Sequence, residues 1–157
     1  MRRTLLLTLA LVLLPALPCQ GEAKDLTAAL EDHRYSLSLA DGRLLGEGAN
    51  FLIAAGKASR HVLLGEVHGL AEISELTEAL FRELQPAGFD TYVTEVGPWS
   101  ARRLQALAQE ARTQAFDELY ARYPFAIPFA FYHEEAALLR TVSQLSGAEV
   151  PIWGIDQ

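Results

Sequence analysis

The sequence predicts an α/β fold in which helical crossovers cover a mainly parallel sheet in three layers. Three apolar, β-rich segments each end in an acidic residue, and these acids are Glu66, Glu95 and Asp156. One helical segment separates the first two, and two or three separate the last two, an order typical of parallel strands joined by right-handed crossovers. A small N-terminal hairpin is predicted before this arrangement.

The first 23 residues have the composition of a secretory signal peptide. Arg2 and Arg3 form a basic start, Leu5–Leu14 is an apolar run, and Gly21–Ala23 supplies small residues for cleavage. The run is too short to cross the ~30 Å hydrocarbon core of a bilayer. We therefore predict cleavage before Lys24 and a periplasmic or secreted protein with no membrane span in its mature chain.

A lipoprotein anchor at Cys19 is the less favoured alternative, because Pro18 stands where acylated cysteines are preceded by a small residue. If Cys19 leaves with the signal peptide, the mature chain has no cysteine. Disulfides and thiolate zinc ligands are then excluded.

The mature chain, residues 24–157, is long and apolar enough to form one globular domain with its own core. Removal of the predicted signal peptide takes away two arginines and one glutamate. It leaves 11 basic and 19 acidic residues, a net charge of −8. Such a charge disfavours nucleic-acid partners, so we expect a small-molecule substrate or ligand. The oligomeric state is not predicted.

The predicted elements begin with a hairpin, in which alternation over His33–Leu39 is followed by turn residues at Ala40–Gly42 and a short partner strand at Arg43–Leu45. A short helix follows within Gly48–Ser59. Asn50 is its candidate N-cap.

Strands and helices then alternate. Strands are predicted at His61–Glu66, Phe89–Glu95 and Val150–Asp156. Apolar residues spaced three and four apart predict helices over residues 72–84, 99–112, 114–123 and 134–146.

Pro124–Phe131 contains two prolines and three phenylalanines, which exclude a regular helix. A solvated loop would expose a large aromatic area. The passage is expected either to pack on the core or to line an apolar pocket.

The motif Gly65–Gly69 carries the strongest chemical signal. Side chains alternate along a strand, so Glu66 and His68 are expected to point to the same side. A carboxylate beside an imidazole favours the protonated ring and fixes its tautomer, which suits a general base or a metal ligand. Ligands of open α/β sheets bind beyond the carboxyl ends of the strands, so the three acids and His68 are expected to share one cleft.

Structural roles are open for the same residues. Glu66 and Glu72 suit the N-terminus of the following helix, where negative charge is stabilising. His68 is compatible with a structural histidine. Gly65 and Gly69 serve equally as turn glycines or as points where a ligand approaches the backbone.

These residues together resemble the erythromycin-esterase-like superfamily, which includes the ChaN-like haem-binding lipoproteins and the TraB/Tiki proteins. The resemblance runs from about Arg60 to the C-terminus. It is carried by Leu64–Gly69, Glu72, Gly88-Phe89, Glu95 and Gly154–Asp156.

The resemblance implies that His68 is a general base activating water, with Glu66 and Glu95 orienting it or the substrate. Asp156 would border the same site. Together the motif and the resemblance assign catalysis to His68, Glu66 and Glu95, and ligand contacts to Glu72, Asp156, Gly65 and Gly69.

The implied activity is hydrolysis of an ester or amide, which needs no cofactor. Binding of haem or of a divalent metal without turnover is the alternative, with His68, Glu66 and Glu95 as metal ligands. The chain ends at Gln157, one residue after the last predicted strand. Members of the superfamily continue further, so we expect an incomplete domain, and an inactive fragment is a third possibility.

Overall fold

The computed structural model describes residues 26–65, 67–128 and 130–156. The predicted signal peptide with Cys19, and Glu66 of the motif, lie outside these residues. The chain divides into two compact units, the first ending at Arg34 and the second beginning at Tyr35.

The described part of the first unit is a single helix, α1 (Leu26–Asp32). It is closed by backbone hydrogen bonds from His33 to Leu30 and from Arg34 to Glu31. The sequence patterns did not predict this helix. Its seven residues contain no buried side chain, so it lacks the apolar face that periodicity detects.

The second unit begins with the predicted hairpin, which is confirmed. β1 (Ser38–Ala40) pairs antiparallel with β2 (Arg43–Leu45). Asp41 and Gly42 both have positive φ angles, 52° and 70°, as a two-residue type I′ turn requires. This turn matches the twist of the strands, and Asp-Gly is among its preferred sequences.

Five α-helices follow, close to the predicted segments, and none of the described helices is long and apolar enough to cross a membrane. They are α2 (Glu47–Lys57), α3 (Ala71–Leu84), α4 (Pro98–Gln109), α5 (Ala115–Arg122) and α6 (His133–Leu145). The N-cap of α2 is Gly46, so the prediction of Asn50 as its cap is wrong.

The described sheet in the later part of the chain has two parallel strands. β3 (Tyr92–Thr94) pairs with β4 (Ile152–Gly154), with Val93 opposite Trp153. Two of the predicted strands are therefore present in shortened form, and the mixed α/β class is confirmed.

The prediction of a strand at His61–Glu66 is wrong for residues 61–65, the part of it that the structure describes. Residues 61–65 have no regular secondary structure and are exposed, and Leu63 is 93% accessible. A local run of β-formers becomes a strand only when it pairs with a neighbouring strand, and residues 61–65 have no such partner among the described residues. A sheet of two described strands does not establish the predicted three layers.

Two apolar clusters stabilise the second unit. The larger joins α4, α6 and the sheet and includes Leu104, Val142 and Ile152, each almost completely buried. Ile127 and Ala130 also belong to it, and both come from Pro124–Phe131, called here the aromatic passage. Core packing of that passage is thus confirmed for these two residues, whereas its phenylalanine rings that the structure describes lie outside the cluster.

The smaller cluster joins α2, α3 and β2 through side chains that include Leu80 and Leu84. α3 in turn packs along α6. At that contact the Oγ1 atom of the buried Thr141 donates to Oε1 of Glu78 at 2.8 Å and accepts from Nη2 of Arg82 at 2.8 Å. These bonds orient α3 relative to α6, and the Gly65–Gly69 motif directly precedes α3.

Candidate functional site

The pairing of β3 with β4 continues past the last residues of both strands. The amide of Ile155 donates to the carbonyl of Thr94 at 3.3 Å, and that of Asp156 donates to the carbonyl of Val96 at 3.1 Å. Gly154 permits this approach, because a Cβ atom there would collide with the Val96 carbonyl. The ends of β3 and β4, which lead to Glu95 and Asp156, therefore lie at one edge of the sheet.

A cleft of about 540 Å³ lies at this edge. Glu95 and Asp156, which follow the carboxyl ends of the two parallel strands, both line it. Its other lining residues come from the turn after β3, from the start of α4 and from the aromatic passage: Val96, Gly97, Pro98, Trp99, Ser100 and Pro128.

His68 approaches the same acid. Its Nε2 atom lies 3.7 Å from Oε2 of Glu95, and the two side chains are 46% and 61% accessible. The separation is that of an ion pair when the ring is protonated, and it exceeds a hydrogen-bond length. An accessible imidazole beside a carboxylate is an arrangement that a water molecule and a substrate can both reach.

The loop that carries His68 also lies near the start of α6. Gly69 adopts a left-handed conformation, with φ at 80°, and the position of a Cβ atom on it would be 3.7 Å from the hydroxyl of Tyr132. Tyr132 is the N-cap residue of α6. Its phenol therefore borders the loop on the side of the aromatic passage.

Sequence reasoning missed Tyr132 and Trp99 as candidate site residues. Tyr132 directly follows the aromatic passage and Trp99 directly follows Gly97-Pro98, so both stood beside recognised signals. No pattern in the sequence indicated that Tyr132 lies near Gly69 or that Trp99 lines the same cleft as Glu95.

The remaining predicted site residues lie elsewhere or outside the described residues. Glu72 is exposed in the first turn of α3, where it complements the helix dipole, and it does not line the cleft. Gly65 is exposed, and a Cβ atom on it would meet nothing within 4 Å. The structure gives no account of Glu66.

The described residues do not form a metal centre by themselves. Among residues 26–65, 67–128 and 130–156, no three His, Cys, Asp or Glu side chains come together in a way that would hold a metal ion. His68 and Glu95 supply one nitrogen and one carboxylate, fewer ligands than stable divalent sites generally use.

Comparisons of the chain with protein-family models, with curated proteins and with solved structures found no match. The resemblance described above therefore depends on its motif residues alone.

Proposed function

We propose that this protein is an exported hydrolase that cleaves an ester or amide with water activated by His68. The observation that carries the proposal is the 3.7 Å approach of His68 Nε2 to Glu95 Oε2 at the edge of the cleft. The presence of Asp156 in that cleft supports it, since the sequence resemblance assigns these three residues to one site.

In the proposed mechanism the imidazole of His68 takes a proton from water as the oxygen attacks the carbonyl carbon of the substrate. The tetrahedral intermediate then collapses, the bond to the leaving group breaks, and the imidazolium returns the proton to that group. Glu95 stabilises the imidazolium and holds the ring. The 3.7 Å separation is compatible with this role, because catalytic contacts are often long before substrate binds.

The start of α4 supplies a means of stabilising the negative oxygen of the intermediate. Trp99 and Ser100 lie in the first turn of α4 and line the cleft. Backbone N–H groups in a first turn have no partner within the helix and lie at the positive end of its dipole. We assign these two amides to the oxyanion, with Asp156 contacting the substrate.

The proposal includes the fold that the resemblance implies. That fold is a three-layer α/β domain with a mainly parallel sheet, larger than the two described strands β3 and β4.

The first test is hydrolysis of p-nitrophenyl acetate by the purified mature chain. His68→Ala is expected to lower kcat/KM by ~10²- to 10⁴-fold, the usual contribution of a general base. The melting temperature should not change, because the side chain of His68 is well exposed. His61→Ala is the matched control, since it removes another exposed histidine from the same part of the chain. Activity that survives His68→Ala contradicts the proposal.

Haem binding without turnover is a second candidate, favoured by the exposed ring of Trp99 in the cleft and by the accessible His68 nearby. Titration with haemin tests it. Haem binding would be supported by a Soret band that the wild type shows and His68→Ala lacks. If the wild type also hydrolyses no ester, the hydrolase proposal is wrong.

A further inference from the structure

The aromatic passage begins with a turn in an unusual conformation. The amide of Ala126 donates to the carbonyl of Tyr123 at 3.1 Å, which makes Tyr123–Ala126 a β-turn with Pro124 second and Phe125 third. Phe125 has a φ angle of 62°. Glycine or asparagine normally occupies a third turn position with positive φ, because a side chain there is strained. The chain therefore carries phenylalanine at a position that disfavours it.

Core packing does not explain this choice, because Phe125 is 81% accessible. Its ring meets Phe131 edge to face with centroids 6.0 Å apart, and Phe131 lies 4.3 Å from the ring of Tyr132. Phe131 and Tyr132 are themselves exposed. Phe125, Phe131 and Tyr132 thus form a continuous exposed surface, called here the aromatic row. Strained residues are concentrated at ligand-binding sites, and this one keeps its side chain exposed.

The aromatic row is continuous with the candidate site at two places. At one end, the hydroxyl of Tyr132 faces Gly69, next to His68. Between Phe125 and Phe131, the exposed Pro128 lines the cleft with Glu95 and Asp156. A ligand whose carbonyl lies beside His68 would therefore have the aromatic row within reach.

We propose that the aromatic row is the subsite for an aryl or long alkyl acyl group of the substrate. The proposal depends on the hydrolase function proposed above and adds the substrate class to it. Flat rings bind aromatic and aliphatic groups through buried apolar area and edge or face contacts. The phenol of Tyr132 would mark the boundary between this apolar subsite and the polar groups at His68.

The test compares p-nitrophenyl acetate with p-nitrophenyl 4-phenylbutyrate. Phe125→Ala and Phe125→Gly are expected to raise KM for the phenylbutyrate ester by about tenfold, as expected for an apolar side chain that the ligand covers. The kcat/KM for acetate should stay unchanged. Phe125→Gly is the check on folding, because glycine adopts the positive φ angle without strain. The melting temperature of this variant should equal that of the wild type. Phe51→Ala is the matched control, because Phe51 is an exposed ring stacked on Tyr35 elsewhere in the unit.

Binding of 4-phenylbutyrate to the wild type, to His68→Ala and to Phe125→Gly, measured by calorimetry, separates this inference from the proposed function. Phe125-dependent binding in a protein that hydrolyses neither ester would support the subsite and refute the hydrolase. Hydrolysis of both esters with equal KM, unaffected by Phe125→Gly, would overturn the subsite and leave the hydrolase. An equal loss of activity on both esters would also overturn it, because the role of Phe125 would then be structural.

Discussion

The amide of Asp156 donates a hydrogen bond to the carbonyl oxygen of Val96, 3.1 Å away and one residue past Glu95. This bond extends the parallel pairing of β3 and β4 beyond their last residues and brings two carboxylates to one cleft. The approach depends on Gly154, the last residue of β4.

Gly154→Ala is expected to destabilise the second unit. The new methyl group would meet backbone atoms, including the Gly97 carbonyl oxygen at 2.7 Å, and backbone cannot turn aside as a side chain can. Overpacking of this kind costs about 1–3 kcal/mol. Urea unfolding should show a lower midpoint.

Gly147→Ala is the matched control for that measurement. A Cβ atom on Gly147 would meet nothing within 4 Å, and this glycine has no left-handed φ. Alanine restricts the unfolded chain, so we expect stability equal to the wild type or about 0.4–1 kcal/mol greater. Equal unfolding midpoints for the two variants would show that β4 does not need a glycine.

Glu95→Gln distinguishes a catalytic role of Glu95 from a structural one. An exposed ion pair contributes ~0–1 kcal/mol, so the unfolding free energy should change little. Ester hydrolysis should fall, by less than in His68→Ala, because the imidazole remains but loses the charge that stabilises its protonated form. The double variant should be no less active than His68→Ala alone. A loss of stability without a loss of activity would instead indicate that Glu95 serves the start of α4.

The burial of Tyr120 predicts that the free energy of unfolding decreases at alkaline pH. Burial, with a smaller contribution from the nearby Glu135 carboxylate, raises the pKa of Tyr120 to about 12. In the unfolded chain a tyrosine ionises near pH 10, so above that pH the unfolded state releases its proton first. Its contribution to stability is complete below about pH 10 and is lost as the pH approaches 12. We expect a loss of about 1 kcal/mol, because the ring is only partly buried and solvent screens the charge.

Tyr120→Phe tests this prediction. The variant loses the hydrogen bond from the hydroxyl to the carbonyl of Ile127, so it should be less stable at neutral pH. Between pH 10 and 12, however, its unfolding free energy should decrease less than that of the wild type. Parallel pH profiles for the two proteins would contradict the assignment.

Thr141→Val should weaken the contact between α3 and α6. Valine keeps the shape of the buried side chain but removes the hydroxyl that bonds Glu78 and Arg82. We expect a cost of about 1–2 kcal/mol, since those two residues still pair with each other at 2.7 Å. Thr77→Val is the control, because the Thr77 hydroxyl donates to the Ile73 carbonyl within α3. A change below about 0.5 kcal/mol is expected there in chemical denaturation.

The sequence by itself determined the features that depend on neighbours along the chain. Apolar periodicity located helices α3 to α6 to within about three residues, because the apolar residues of a helix face recur every three to four positions. The preference of Asp41-Gly42 for positive φ determined the hairpin. The acids at the ends of Phe89–Glu95 and Val150–Asp156 were recognised because parallel strands expose their carboxyl ends at one edge.

Only the tertiary structure decided which distant residues meet. It left His61–Gly65 without regular secondary structure, since strand formation depends on a partner that no local pattern specifies. It brought His68 to Glu95, Tyr132 to Gly69 and Pro128 into the cleft, contacts that span 27 to 63 positions of the chain. It also turned Phe125 outward while Ile127 and Ala130 entered the core. Apolar composition alone favours burial equally for all three, and the turn at Pro124 sets which of them faces solvent.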